Sequence, residues 1–117
     1  MARVEITVTT ISRTGVAPGT QHDADATNDH YIADNDGRIF LEIVSSSGSD
    51  QTVTVETPII QDGLQLDDLV IDVPAGDTIL AGPFSTSTFN QRETALANQV
   101  FVNPSVSTTL KFRAYKV

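Results

Sequence analysis

Apolar and polar residues alternate with a period of two through much of the chain, and this predicts strands. Val4, Ile6 and Val8 alternate with Glu5, Thr7 and Thr9, the pattern of a strand with one buried face. From Arg38 onward, Ile39, Leu41 and Ile43 share one face, and Phe40, Glu42 and Val44 share the other. After the Gly- and Ser-rich SSSGSD at 45–50, Val53 and Val55 alternate with Thr52, Thr54 and Glu56, so the two runs read as a hairpin. Leu69 to Val73 is short and β-branched and closes on a PAGD turn at 74–77. TILAGPF follows, with Pro83 tolerated only at an edge or a bulge. Val100 and Val102 predict another short strand, Asn103 and Pro104 a turn, and Val106, Thr108, Leu110, Phe112 and Ala114 a last strand.

Only STSTFNQRETALANQ, at 85–99, suggests a helix. Thr88 with Gln91, or Asn90 with Glu93, has capping-box spacing, but Leu96 is the one good apolar face residue, so a single turn is expected. Altogether about seven short strands are predicted, with turn signals every 8 to 12 residues or so. That is the pattern of an all-β, single β-sandwich, either immunoglobulin-like or jelly-roll-like. The 117 residues suffice for one core and are too few for two, so 1–117 is read as one domain.

Residues 12–37 break the rhythm. SRTGVAPGTQHDADATNDHYIADNDG shows no sustained period, and irregular loops beyond about 12–15 residues are uncommon unless functional or disordered. Asp23, Asp25, Asp29, Asp34 and Asp36 lie here, five of the chain's 15 acidic residues. The segment is therefore expected to be a long acidic loop or contact arm. Asp23, Asp25, Asp29, Tyr31 and Asp34 within it, with Phe89 and Arg92 in the later polar segment, are the candidate partner contacts. Interface cores favour aromatic residues. Phe84 and Phe101 are read equally well as plugs at the ends of the sandwich.

Charge and cysteine content narrow the classes. A net charge of −8 repels nucleic acid over most of the surface. No cysteine means no disulfide framework and no thiolate chemistry, which suits a reducing compartment. MARVEITVTT lacks the apolar core of a secretory leader, and no run approaches the roughly 18 apolar residues of a membrane helix, so no membrane association is expected.

Each constellation that would carry chemistry fails on a stated requirement. His22, Asp23, Asp25, Asp29 and His30 are metal-ligand types, and DNDG at 34–37 resembles the middle of a calcium loop. Counted into an EF-hand, however, Ile32 and Ile43 fall where carboxylates are needed. Asp36 and Gly37 read better as turn residues ahead of a strand. No serine sits in a G-x-S-x-G elbow to use either histidine as a base. The pairs Asp67/Asp68 and Asp72/Asp77 read as an outward strand face and a turn rather than a glycosidase dyad, and Trp platforms for a sugar are absent. No phosphate-cradling motif is present. No catalytic residue, metal ligand or cofactor is expected, and the protein is read as a non-enzyme.

RIFLEIVSSSGSDQTVTVETP at 38–58, VPAGDTILAGPFSTSTFNQ at 73–91, the short valine strand and the closing strand together resemble a family of small virion proteins of tailed phages. The DNDGRIFL junction at 34–41 is similar too, and the resemblance spans nearly the whole chain. RETALAN at 92–98 departs from the commoner pattern of that family. The resemblance implies a head-associated protein that decorates or cements the capsid by binding the outer surface of the major capsid protein lattice. It also implies residence on the virion after synthesis in the host cytoplasm, and a homo-oligomer, a trimer at a local threefold being the expectation. Similar β-domains serve as neck or tail-tube subunits. The residues alone also leave open a calcium- or carbohydrate-binding module using the Asp-rich loop.

Overall fold

The computed structural model describes residues 3–19, 21–58, 60–65, 67–91 and 97–117. In chain order these form β1 (Val4–Glu5), β2 (Val8–Thr10), β3 (His22–Asp23), β4 (His30–Ile32), β5 (Ile39–Ser45), β6 (Gln51–Val55), β7 (Ile60–Gln61), β8 (Leu64–Gln65), β9 (Leu69–Val73) and β10 (Thr78–Ala81). A single helical turn α1 (Thr86–Phe89), β11 (Val100–Pro104) and β12 (Leu110–Lys116) follow. One five-stranded sheet has the order β1-β4-β11-β6-β9. The other runs β10-β5-β12-β2, with β3 also paired to β12, and β7 and β8 make a separate small ribbon.

The strands pair as nested antiparallel couples. β6 pairs with β9, β5 with β10, β4 with β11 and β3 with β12. A long two-stranded ribbon with these pairings, folded over so that β12 lies against β5 and β11 against β6, yields two packed sheets. That is the jelly-roll arrangement, which decides between the two sandwich topologies the alternation allows.

Alternation explains the centre. In β5 the side chains of Ile39, Leu41, Ile43 and Ser45 are buried and those between them are half-buried. Leu110, Phe112 and Ala114 of β12 do the same, in a register running from Leu110↔Ser45 to Lys116↔Ile39. Facing them across the core are Ile32, Val53, Val55, Val73, Val100 and Val102, all fully buried. Each such aliphatic contributes roughly 1.5–3 kcal/mol by leaving water.

Several expectations are corrected. Among the described residues ten strands, not about seven, build the two sheets. The runs on either side of SSSGSD are no hairpin, because β5 and β6 lie in different sheets and residues 46–50 arch between them. Val4 to Val8 is not one strand. β1 pairs in parallel with β4 of the first sheet, β2 in parallel with β12 of the second, and the fully buried Ile6 sits at the crossing. Pro104 stays in β11, where among the described residues only β6 pairs with it, and the turn falls at 105–109 instead. The segment 12–37 is only in part a loop, since β3 and β4 lie within it.

Gly82 lets β10 run out against β5. Its φ is +130°, and an added Cβ would come within 2.8 Å of Phe40 Cα, so glycine is required there.

Candidate partner-contact surface

The acidic residues of 12–37 are largely engaged within the fold. Asp23, exposed on β3, forms an ion pair with Lys111 of β12. Asp25 closes a turn: its carboxylate accepts the amides of Thr27 at 3.0 Å and Asn28 at 3.1 Å and the Asn28 side chain at 2.9 Å. The Asn28 amide, followed by its side chain, holds the Asp25 carboxyl below the usual range. Asp36 accepts from Arg38 at 2.8 Å and lies 3.0 Å from the Lys116 ammonium, and these donors, Arg38 first, hold it well below the carboxylate range. Its other oxygen accepts the Arg38 amide, which closes the turn ahead of β5. Asp29 and Asp34 have positive φ values of 60° and 55° and make no ion pair among the described residues. Only Asp34 of these two is exposed.

Beneath the acids lies a clasp that periodicity did not reveal. His30 is fully buried; its Nε2 accepts the Asp25 amide at 2.9 Å and its Nδ1–H donates to the Val4 carbonyl at 3.1 Å. Those partners require the neutral Nδ1-protonated ring, which stands edge-on to Phe112 at 5.2 Å between centroids. Burial holds the His30 pKa below its ordinary value. His22 Nε2 accepts the Thr7 amide at 3.2 Å, so both histidines grip the N-terminal stretch, one at β1 and one at the link between β1 and β2. Both ring nitrogens of His30 and Nε2 of His22 are thus engaged within the fold. Among the described residues no group of three or more His, Asp and Glu side chains converges as a metal site.

The aromatic candidates separate. Tyr31 is half-buried on β4, opposite Phe101. Phe101 lies under Arg3, whose guanidinium carbon is 3.9 Å from the ring centroid. Arg3 also donates to Glu56 at 2.7 Å, to Asn103 at 2.6 Å and to the His30 carbonyl at 3.1 Å. Phe89 is half-buried and meets the buried Phe84 edge-on at 5.4 Å, closing one end of the core. Beside them Asn35 donates to the Phe84 carbonyl and to Asn90, and Asn90 donates back to the Asn35 carbonyl. Arg92 lies outside the described residues.

What is left exposed is a different surface. Residues 11–18 are all exposed and form an arm pinned at both ends: the Ile11 amide donates to the Lys116 carbonyl, and Arg113 Nε donates to the Gly19 carbonyl. Between the arm and the outer face of β5, β10 and β12 runs an apolar groove of about 370 Å³, lined by Ile11, Val16, Pro18, Phe40, Leu80 and Tyr115 among others. Phe40 and Tyr115 are cross-strand partners with ring centroids 5.4 Å apart. Val16 is 50% exposed and Leu80 64%. Contiguous exposed apolar surface of this kind marks contact sites. The outward parity of Phe40 is legible in the alternation of 39–44. The placement of the arm beside it is not, because the anchors come from the far end of the chain.

The arrangement presents no convergent acid, base and nucleophile at this groove; Glu42, its carboxylate, pairs with Arg113 at 3.3 Å. Its chemistry is that of desolvation and shape. No protein-family model matches the chain, and neither does any curated protein or solved structure.

Proposed function

We propose that this chain is a non-enzymatic structural protein of a tailed-phage virion, which decorates the capsid and stabilises it by binding the outer surface of the major capsid protein lattice. The observation that carries the reading is the pinned, fully exposed arm 11–18 beside the Phe40–Tyr115 groove. A rigid sandwich offers this apolar surface without having to order it on binding, which limits the entropic cost of contact. The resemblance of 38–58 and 73–91 to small phage virion proteins supplies the identity of the partner. Copies bound at neighbouring lattice sites, as trimers at local threefolds, gain avidity without any single strong contact.

The test uses capsids assembled without this protein. Purified protein should bind them saturably and raise the temperature at which the shell disrupts, and Leu80→Asp should weaken binding at least tenfold while leaving the fold intact. Absence of binding together with unchanged heat resistance would sink the proposal. Rings or tubes formed by the protein alone would favour a neck or tail-tube subunit instead.

A further inference from the structure

We infer that the free edge of β9 takes up an extended strand of another protein in which apolar and basic residues alternate. β9 ends its sheet and pairs over five residues with β6 on one side, leaving a row of backbone groups on the other. Its sequence, Leu69-Val-Ile-Asp-Val73, has no lysine, no proline and no break in its pairing, and its one charge is the acidic Asp72. The other edge strands are shorter, at two to four residues.

The two faces of this edge define the incoming strand. On the core side Leu69 is 40% exposed and Ile71 is half-buried, so apolar side chains arriving there complete the burial of the sandwich rim. On the outer side, Asp72 and Asp50 line a pocket of about 320 Å³ with Gln51, Thr52 and Pro74. Neither carboxylate has an ion-pair partner among the described residues. From Arg38 to Arg92 the chain has no lysine or arginine, although Asp50, Asp62, Asp67, Asp72 and Asp77 all lie in that stretch. Asp50 accepts the Ala75 amide at 3.0 Å, and no lysine or arginine among the described residues pairs with either carboxylate, so the pocket is open to a cation from another molecule. A strand laid antiparallel on β9 puts a side chain opposite Asp72 at about 4.5–5.5 Å between Cβ atoms, within reach of a lysine or arginine head. A second copy of this chain is a poor occupant, because edge-to-edge approach brings the two sets of aspartates together. The surface lies on the other sheet from the Phe40–Tyr115 groove, and the inference stands independently of the virion reading.

The probe is a blocked octapeptide of alternating valine and lysine, compared with its valine–glutamate counterpart and with a version N-methylated at every second residue. Titration into the full chain, followed by amide NMR shifts, should show the lysine peptide binding at least tenfold tighter than either control, with shifts centred on residues 69–73 and weakened by salt. Asp50→Asn with Asp72→Asn should raise the Kd about tenfold while leaving the spectrum of the free protein otherwise unchanged. Equal binding of the N-methylated peptide, which reduces the contact to charge alone, overturns the inference. So does a shift pattern centred on Asp23–Asp36.

Discussion

β5 and β12 lie side by side for seven residues in unbroken register, whereas the segment from Arg3 to Gly37 touches the same core through strands of only two or three residues. The centre is held by a backbone ladder and an alternating apolar face. The N-terminal segment has only short pairings and adds to them side chains reaching backbone groups: His30 to Val4 and Asp25, His22 to Thr7, Arg3 to His30, and Ser107 accepting the Ala26 amide. A ladder repeats itself and can be lost only as a whole. A clasp is a set of single contacts, each removable on its own.

Phe112→Ala tests the ladder side. It removes the largest buried side chain of β12 and should cost roughly 3–5 kcal/mol, lowering the stability measured by denaturant for the whole molecule. His30→Ala tests the clasp. It strands the Asp25 amide, at roughly 1–3 kcal/mol for a buried group left unpaired, and removes the ring's bond to the Val4 carbonyl. Hydrogen exchange should then show protection lost over 4–31 and kept in β5 and β12. Uniform loss would abolish the distinction between the two regions.

Acid acts on the same clasp more gently. Burial keeps the folded His30 pKa below the ordinary imidazole value of about 6.5, so the unfolded chain binds the proton first as pH falls. The stability it contributes is complete above that value and is lost as pH drops toward the folded pKa. Melting temperature should decline between about pH 7 and 5, and His30→Gln should flatten that slope. Smallest of all is Lys111→Ala, which removes an ion pair between well-exposed side chains and should change stability by less than about 0.5 kcal/mol in thermal melts. A larger effect would mean that β3 depends on charge more than on its pairing with β12.

The same contrast accounts for what could be read from the sequence. The alternation at 39–44 and 110–114 gave the buried faces of β5 and β12, and the PAGD turn fell where its residues placed it. α1 is the single turn expected, but neither capping box opens it: it follows Ser85, which makes no side-chain cap, and Asn90 ends it. Alternation assigns a residue to a face but not a strand to a sheet. A six-residue Gly/Ser loop serves a hairpin or an arch equally, and so β5 and β6 were misjoined. β3 and β4 are too short to show a period, and His30 reads as polar although its ring is fully satisfied inside. Of the seven candidate contacts, Asp23, Asp25 and Phe89 are occupied within the fold, while the Phe40–Tyr115 groove leaves no mark in the sequence pattern because it needs the arm from 11–18 to form it.

The crossing of the N-terminal strand at Ile6 has a mechanical side. β1 and β2 run parallel to β4 and β12, so tension that draws residues 3–10 and Lys116 apart loads the β2–β12 bonds in shear, together rather than one after another. Because this one eight-residue stretch is stitched to both sheets, sliding one sheet over the other must first strip it away. A domain fastened in this way resists a pull along its strands far better than a peel across them.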